Sequence, residues 1–220
     1  MTTANTDMPG YYAARALEYD RIYDKPERQA DLAELKTLIS QAFQGLDVLE
    51  IACGTGYWTQ FIAKSAARIF ATDINTEVLA VAKKRDYNLC WTNFGTADVY
   101  SLTNISDSYS AGFAGFLWSH IPLTRRSEII RTFHTHLQPG ARVIWIDGRY
   151  VEGSSTVIDR KDEAGNTYQQ RKLDNGSLHE VIKNYPTEAE LRSDFSPFAD
   201  KIEVKLLQYF WVLSYSVKVP

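Results

Sequence analysis

Residues 46–59, Leu-Asp-Val-Leu-Glu-Ile-Ala-Cys-Gly-Thr-Gly-Tyr-Trp-Thr, constrain this chain more than any other stretch. Val48 to Ile51 is a short apolar run of the kind a buried parallel strand presents. It breaks into small residues, Ala52-Cys53-Gly54-Thr55-Gly56, and resumes as a helical pattern at Tyr57. A strand that turns into a helix through glycines brings backbone close to a ligand, because glycine has no Cβ in the way. The free N–H groups of the helix start then face whatever sits over the turn.

Two ligand classes use such a turn. A dinucleotide fold wants G-x-G-x-x-G, whose third glycine lets helix pack on strand. Here Tyr57, Trp58 and Thr59 follow Gly56, so the third glycine is missing, and an acidic residue, Glu50, stands at the strand end. The stretch resembles motif I of class I S-adenosylmethionine (SAM) dependent methyltransferases, acidic-x-G-x-G-x-G, with Ala52 at the first glycine. Alanine is the next-smallest residue, so the departure is small.

The chain downstream extends the resemblance. Arg68 to Asp73 reads as a second strand ending on an acid, placed to accept hydrogen bonds from both hydroxyls of a ribose. SAM and NAD both carry that ribose. Asn75 is positioned to cap the helix 76–84, which frees Asp73 for a ligand. A third strand is expected over 87–94. The Gly95-Thr96-Ala97-Asp98-Val99 that follows matches the family's third motif, an Asp that accepts from the adenine amino group beside a residue whose N–H meets a ring nitrogen. A dehydrogenase has no fixed equivalent there. Leu137-Gln138-Pro139-Gly140-Ala141 resembles the L-x-P-G-G segment before strand 5, expected at 141–147. Two β-rich runs, 201–208 and 209–218, have no helix between them and predict a closing antiparallel hairpin.

The resemblance implies an α/β fold, a doubly wound Rossmann-like seven-stranded sheet of order 3-2-1-4-5-7-6 with strand 7 antiparallel. It implies N-terminal helices, a β insertion after strand 5, and a single methyltransferase domain over 1–220, closest in style to the ubiquinone and menaquinone C-methyltransferase-like group. Its cofactor is S-adenosyl-L-methionine and its product S-adenosyl-L-homocysteine. Glu50, Ala52, Gly54 and Gly56 would hold the amino-acid portion, Asp73 the ribose, Ile74 the adenine face, and Asp98 and Val99 its edge. Tyr19, Trp58 and Trp118 complete the expected cofactor contacts.

Residues 1–8 read as a disordered end. Residues 9–24 read as a helix with Tyr12, Ala16, Tyr19 and Tyr23 on one face. It is either a helix docked on the sheet or a lid (1–24) closing over cofactor and acceptor, and the resemblance favours the lid. Leu32, Leu35, Leu38, Ile39, Ala42 and Phe43 form the apolar stripe of a scaffold helix that Gly45 terminates. A helix from Tyr57 to about Ala66 follows the glycine turn.

Strand 4, expected at 110–118, ends in Ser119-His120-Ile121-Pro122. Ligands of open α/β sheets bind outside the carboxyl ends of the strands. Trp118 to His120 therefore belong near the methionine half of SAM and the acceptor. His120 is the first candidate base, with Tyr11, Tyr12 or Tyr19 second. Beside that role stands a strand-end histidine that only hydrogen-bonds backbone. The family's Asn/Asp-Pro-Pro-Tyr/Phe motif is absent here, which sets aside DNA adenine and glutamine as targets. Thr124 is expected to cap the next helix. The polar stretch 148–185, with turn signals at Gly165-Asn166 and Asn175-Gly176, reads as an antiparallel insertion at the pocket mouth. Tyr12, His120, Arg149 and Tyr150 are the substrate-facing candidates, with Tyr168, Arg171 and His179 also in range. The bland alternative for the insertion is a solvated cover. Thr187 and Glu190 form a capping box.

The net charge is −3 and no Lys/Arg run makes a basic stripe, which argues against nucleic acid as substrate. No apolar run approaches the roughly 20 residues of a membrane span, and the polar start lacks a signal-peptide core. Cys53 and Cys90 lack metal-ligand spacing and read as free thiols of a reducing cytoplasm. His134 and His136, two apart on a helix, cannot face one ligand, so no metal is expected. The 13 Tyr and 5 Trp suggest a planar aromatic or heteroaromatic small-molecule acceptor, or simply an aromatic core. The expectation is methyl transfer to O or N, or else C, of a small metabolite. An NAD-binding oxidoreductase, a protein methyltransferase working with a partner and a non-catalytic SAM-binding protein stay open. So does the oligomeric state.

Overall fold

The structure, a computed structural model, describes residues 8–16, 18–87, 90–106 and 108–219. The expected disorder over 1–8 lies outside the described residues except at Met8, which opens α1 (Met8–Ala14). A 3-10 helix, Tyr19–Tyr23, follows, then a second, Pro26–Arg28, leading into α2 (Gln29–Ala42). The single helix expected over 9–24 is thus two short pieces. They dock on different partners: Tyr12 reaches His120 and Asp20 reaches Thr55. Tertiary contacts therefore outweigh the helical periodicity.

The sheet is built from β1 (Asp47–Ile51), β2 (Arg68–Asp73), β3 (Trp91–Thr96), β4 (Tyr109–Gly115) and β5 (Leu137–Gly148), with α3 (Thr59–Ile62), α4 (Thr76–Ala82) and α5 (Arg126–His134) between successive strands. An insertion of β6 (Arg160–Lys161), β7 (Thr167–Lys172) and β8 (Leu178–Ile182) precedes α6 (Glu188–Phe195), and β9 (Ala199–Leu206) and β10 (Phe210–Val217) close the chain. The strand order is β3-β2-β1-β4-β5-β10-β9, the expected 3-2-1-4-5-7-6. β1 pairs in parallel with β2 and β4, and β10 runs antiparallel to both β5 and β9. The insertion forms a separate three-stranded antiparallel sheet, its turns at the two predicted dipeptides.

The central strands carry the core on both faces. One face packs Leu35, Ile39 and Phe43 of the α2 region against Val48, Phe113 and Ile144. The other packs Phe133, Trp145 and Phe195 around Leu49 and Val143. Continuous apolar strands are what a sheet covered on both sides requires. Among the described residues no helix is long and apolar enough to cross a membrane.

Several boundaries differ from expectation. β3 begins at Trp91 rather than 87, and Asn88 and Leu89 lie outside the described residues. β4 stops at Gly115, so 116–120 are loop and 3-10 helix rather than strand. β5 starts at Leu137, absorbing the Pro-Gly segment, with Gly140 at φ 76°. The helix expected over 57–66 is regular only at α3. Neither Asn75 nor Thr124 caps a helix with its side chain; Asn75 is the N-cap residue of α4, but its backbone N–H instead donates to Asp73. The Thr187–Glu190 capping box forms in full.

Candidate functional site

The glycine turn lies at the carboxyl end of β1. Ala52, Gly54 and Gly56 all take left-handed backbone, with φ of 51°, 56° and 74°. A Cβ on Gly56 would meet the Tyr87 hydroxyl and Ala82 on a left-handed backbone, so that position favours glycine. Ala52 bears the cost of a Cβ in this region, about 1 kcal/mol.

Three acids stand along this edge, at the end of β1, at the end of β2 and just past β3. Glu50 is buried, and its Oε2 has no hydrogen-bond partner. Burial, reinforced by the charge of Asp73, pushes its carboxyl up to about 8. Asp73 is also buried, each carboxylate oxygen accepting one backbone N–H, from Gly54 at 2.9 Å and Asn75 at 3.0 Å. Burial outweighs those donors and raises its pKa. Each oxygen keeps a lone pair for a further donor. Asp98 is exposed and accepts from the Tyr100 N–H at 2.9 Å. Ile74, next to Asp73 in the chain, is 43% exposed, an apolar face open to a ring. An orphaned buried carboxyl, ionised by a cation placed against it, suits an ammonium; a strand-end aspartate suits a ribose diol, and an exposed aliphatic suits a purine. The edge thus fits the three parts of SAM in sequence.

Next to this edge is a cavity of about 240 Å³. Tyr23 and Phe116 line it while touching Tyr57 and Trp58, the residues that follow the glycine turn. Glu50, Gly54, Asp73 and Asp98 are not in its lining, so cradle and cavity are adjacent chambers. Tyr11, Tyr12 and Tyr19 close the cavity from the N-terminal segment, and Arg149 from the end of β5. Three expected site residues stand elsewhere. Trp118 is fully buried against Trp145 and Phe195. Trp58 is buried too, its indole N–H donating to the Tyr23 hydroxyl at 3.1 Å. Tyr150 is 41% exposed and lies edge-on to Tyr185, outside the cavity lining. Large aromatics beside a glycine turn and at a strand end are here used for packing.

His120 does face the cavity. Its Nδ1 is 2.7 Å from the Ile182 carbonyl, which only accepts, so Nδ1 carries the proton. Nε2 then accepts from the Tyr12 hydroxyl at 2.7 Å. Burial first, and Lys183 second, hold this imidazole down to about 3. The ring is thus held neutral, with Nδ1 committed to backbone and Nε2 to the Tyr12 hydroxyl. Tyr11, the other catalytic candidate, is buried with its hydroxyl accepting from Arg15 at 2.9 Å.

The insertion contributes more than its sequence suggested. Asn184 donates to the Ile121 carbonyl at 3.1 Å and accepts from the Thr167 N–H at 2.9 Å, while Asn166 accepts from the Leu123 N–H at 2.8 Å. These bonds staple the small sheet to the loop that carries His120. Lys183 then reaches inward to Asp147, 3.1 Å away, whose other oxygen accepts from Ser119 N–H and hydroxyl. Burial works against the Asp147 charge, but Lys183 and the N–H donors outweigh it and hold the carboxyl below the usual range.

Lys183 is one of several cations around the cavity. Arg15, Lys25, Arg28, Arg149 and Arg171 also line it. Arg28 holds the Ser154 hydroxyl and carbonyl, Arg149 the Leu207 carbonyl, and Arg171 the Gln169 side chain at 2.6 Å. Among the described residues no ion pair joins these five to a carboxylate. Burial lowers the pKa of Lys25, and Arg28 lowers it further, while the Glu27 carboxylate, which accepts from the Ser154 hydroxyl that Arg28 holds, works against them.

Residues 48–140 match the family model described as a methyltransferase domain. No curated protein matches the chain. Among solved structures, DhpI in complex with SAH is similar over 100% of both chains, with a TM-score of 0.79 and 24% identity. DhpI with SAM and HEP is similar over 97% of this chain and 99% of that one, at a TM-score of 0.76 and 24% identity. The PH0226 protein of Pyrococcus horikoshii OT3 covers 91% of this chain and 99% of its own at a TM-score of 0.69 and 15% identity. At these identities the likeness is one of fold.

Proposed function

We propose that the chain is a SAM-dependent methyltransferase acting on a small molecule, and that its acceptor carries an anionic group. The five cations lining the cavity beside the glycine-turn edge with no ion pair to a carboxylate are the observation that carries the second half. These half-buried or exposed cations hold neutral acceptors only, which leaves charge for an anion in the cavity to meet. A phosphonate, phosphate or carboxylate on an otherwise planar or aliphatic metabolite meets Arg28, Arg171 and Lys25, while Tyr19, Tyr23 and Phe116 supply apolar walls. The match of 48–140 to a methyltransferase domain, and a fold shared with a protein solved with SAM and SAH, support the cofactor.

The cofactor supplies a methyl group already activated on a sulfonium. Glu50 holds the ammonium end, Asp73 the ribose, and Ile74 with Asp98 and Val99 the adenine. The protein's contribution is alignment and exclusion of water. An anionic oxygen needs no base to attack, which agrees with a His120 held neutral and committed to Tyr12 and Ile182. Residues 1–24 serve as lid and 148–185 as the wall of the acceptor chamber. A reducing cytoplasm suits the free thiols Cys53 and Cys90.

The test is methyl transfer from isotopically labelled SAM to matched acceptor pairs, each anion set against its amide or neutral ester. Turnover confined to anions, with an acceptor KM raised about tenfold or more in Arg171→Gln and an unchanged SAM affinity, is the expected outcome. Equal turnover of neutral partners would remove the anionic acceptor and leave the methyltransferase.

A further inference from the structure

We infer that Asp20 and Arg85 form a latch that holds the N-terminal segment shut across the glycine turn and sets how fast the cofactor product enters and leaves. This rests on the cofactor assignment above. The 3-10 helix Tyr19–Tyr23 meets the turn region through Asp20 and, beside it, through the buried Tyr23. The Thr55 hydroxyl donates to Asp20 Oδ1 at 2.6 Å. Arg85, just past α4, ion-pairs with Asp20 Oδ2 and also donates its Nε–H to the Thr55 carbonyl at 2.6 Å. Thr55 stands between the two left-handed glycines of the turn.

Three segments that are distant in sequence therefore close on one residue of the cradle. Arg85 divides its donors between the turn and the lid, so it acts on the cofactor through the lid and is a positioning residue. The Asp20 and Arg85 side chains are 38% and 24% exposed, which leaves the pair within reach of salt. Immediately behind it Tyr23 stacks on Tyr57 with ring centroids 3.7 Å apart, which fixes the helix flat over the turn. On the far side the segment is held separately, through Tyr12 and His120. Moving the helix off Thr55 breaks both the Thr55–Asp20 hydrogen bond and the Asp20–Arg85 pair.

A latch of this kind slows both directions of exchange. Stopped-flow measurement of S-adenosylhomocysteine association and release separates it from a simple ligand contact. In Asp20→Asn and in Arg85→Gln both rates rise about fivefold to tenfold, the change expected of one half-exposed ion pair with its charged hydrogen bond, and Kd moves much less. The double variant matches either single, because both remove the same pair. Raising NaCl from about 0.05 to about 0.5 M speeds exchange in the wild type and not in the variants. Asp20→Asn is nearly isosteric and still accepts from Thr55, so it reports even where Arg85→Gln fails to fold. Wild-type exchange rates in Asp20→Asn, or a rise in release alone with Kd rising in step, would overturn the latch and leave the cofactor assignment intact. No binding of S-adenosylhomocysteine to the wild type would overturn the cofactor assignment and the latch with it.

Discussion

Glu50 ends β1 with a carboxylate oxygen that nothing in the described chain satisfies, and burial keeps it protonated up to about pH 8. An ammonium placed against it lowers that pKa, so binding below pH 8 expels a proton. Affinity for S-adenosylhomocysteine is expected to climb with pH up to about 8. Titration calorimetry at pH 7 in buffers of different ionisation enthalpy should then show proton release in the wild type and less of it in Glu50→Gln; equal release in both would count against the assignment. Ala52 makes a second residue-scale claim. Its departure from the family glycine is small in volume but not in backbone, since φ is 51°. Ala52→Gly should relieve about 1 kcal/mol of strain, raising Tm by roughly 2–4 °C in a domain of this size. An unchanged or lower Tm would mean that the turn is not strained there. The His120 assignment predicts a kcat that stays level from about pH 6 to 9, with no limb near the ordinary histidine value of 6.5; a limb abolished by His120→Gln would make it a base.

At the scale of elements, the parallel core was legible because its signals are local and dense. The apolar run before Gly54, the acid ending β2 and the hairpin at the end of the chain each carry their own pattern. The parts that misread are those whose form is set from outside. The periodicity over 9–24 belongs to a helix, yet Tyr12 and Asp20 pull its two halves onto different partners. Trp118 and Trp58 sit at positions where the family motif directs attention to the ligand, but the adjoining core takes them. The insertion was placed in sequence by its turn dipeptides, whereas its attachment through Asn166 and Asn184 had no sequence signal at all. That attachment is testable. Asn184→Ala leaves the Ile121 carbonyl and Thr167 N–H without their partner, at a cost of about 1–3 kcal/mol in denaturant unfolding. It should also raise the acceptor KM, because Arg171 and Lys183 ride on the insertion, while S-adenosylhomocysteine affinity holds. A loss of cofactor affinity instead would mean that the insertion supports the cradle rather than the acceptor chamber.

For the whole molecule, a net charge of −3 conceals a locally cationic chamber. Arg15, Lys25 and Arg28 come from the N-terminal segment and Arg149, Arg171 and Lys183 from beyond β5, so no basic run exists to be read and only the fold gathers them. The same burial shapes the pH dependence of stability. His120 and His134 are held down to about 3 and about 4, below their ordinary 6.5. The folded state therefore binds fewer protons, and their contribution to stability is present above 6.5 and lost as pH falls toward those values. Glu50 has the opposite sign. Raised from 4.5 to about 8, its contribution is present below 4.5 and lost as pH rises toward 8. Unfolding measured without cofactor should show wild-type stability falling between about pH 6.5 and 8, and Glu50→Gln should flatten that fall; a wild-type curve already flat there would contradict a buried, protonated Glu50. The most direct test of the central claim is calorimetric titration of S-adenosylhomocysteine and NADH into the wild type and Asp73→Ala. Saturable one-to-one binding of S-adenosylhomocysteine, weakened about tenfold or more in Asp73→Ala, and no binding of NADH are the expected results. Binding of NADH alone would make the glycine turn a dinucleotide site and contradict the account at its base.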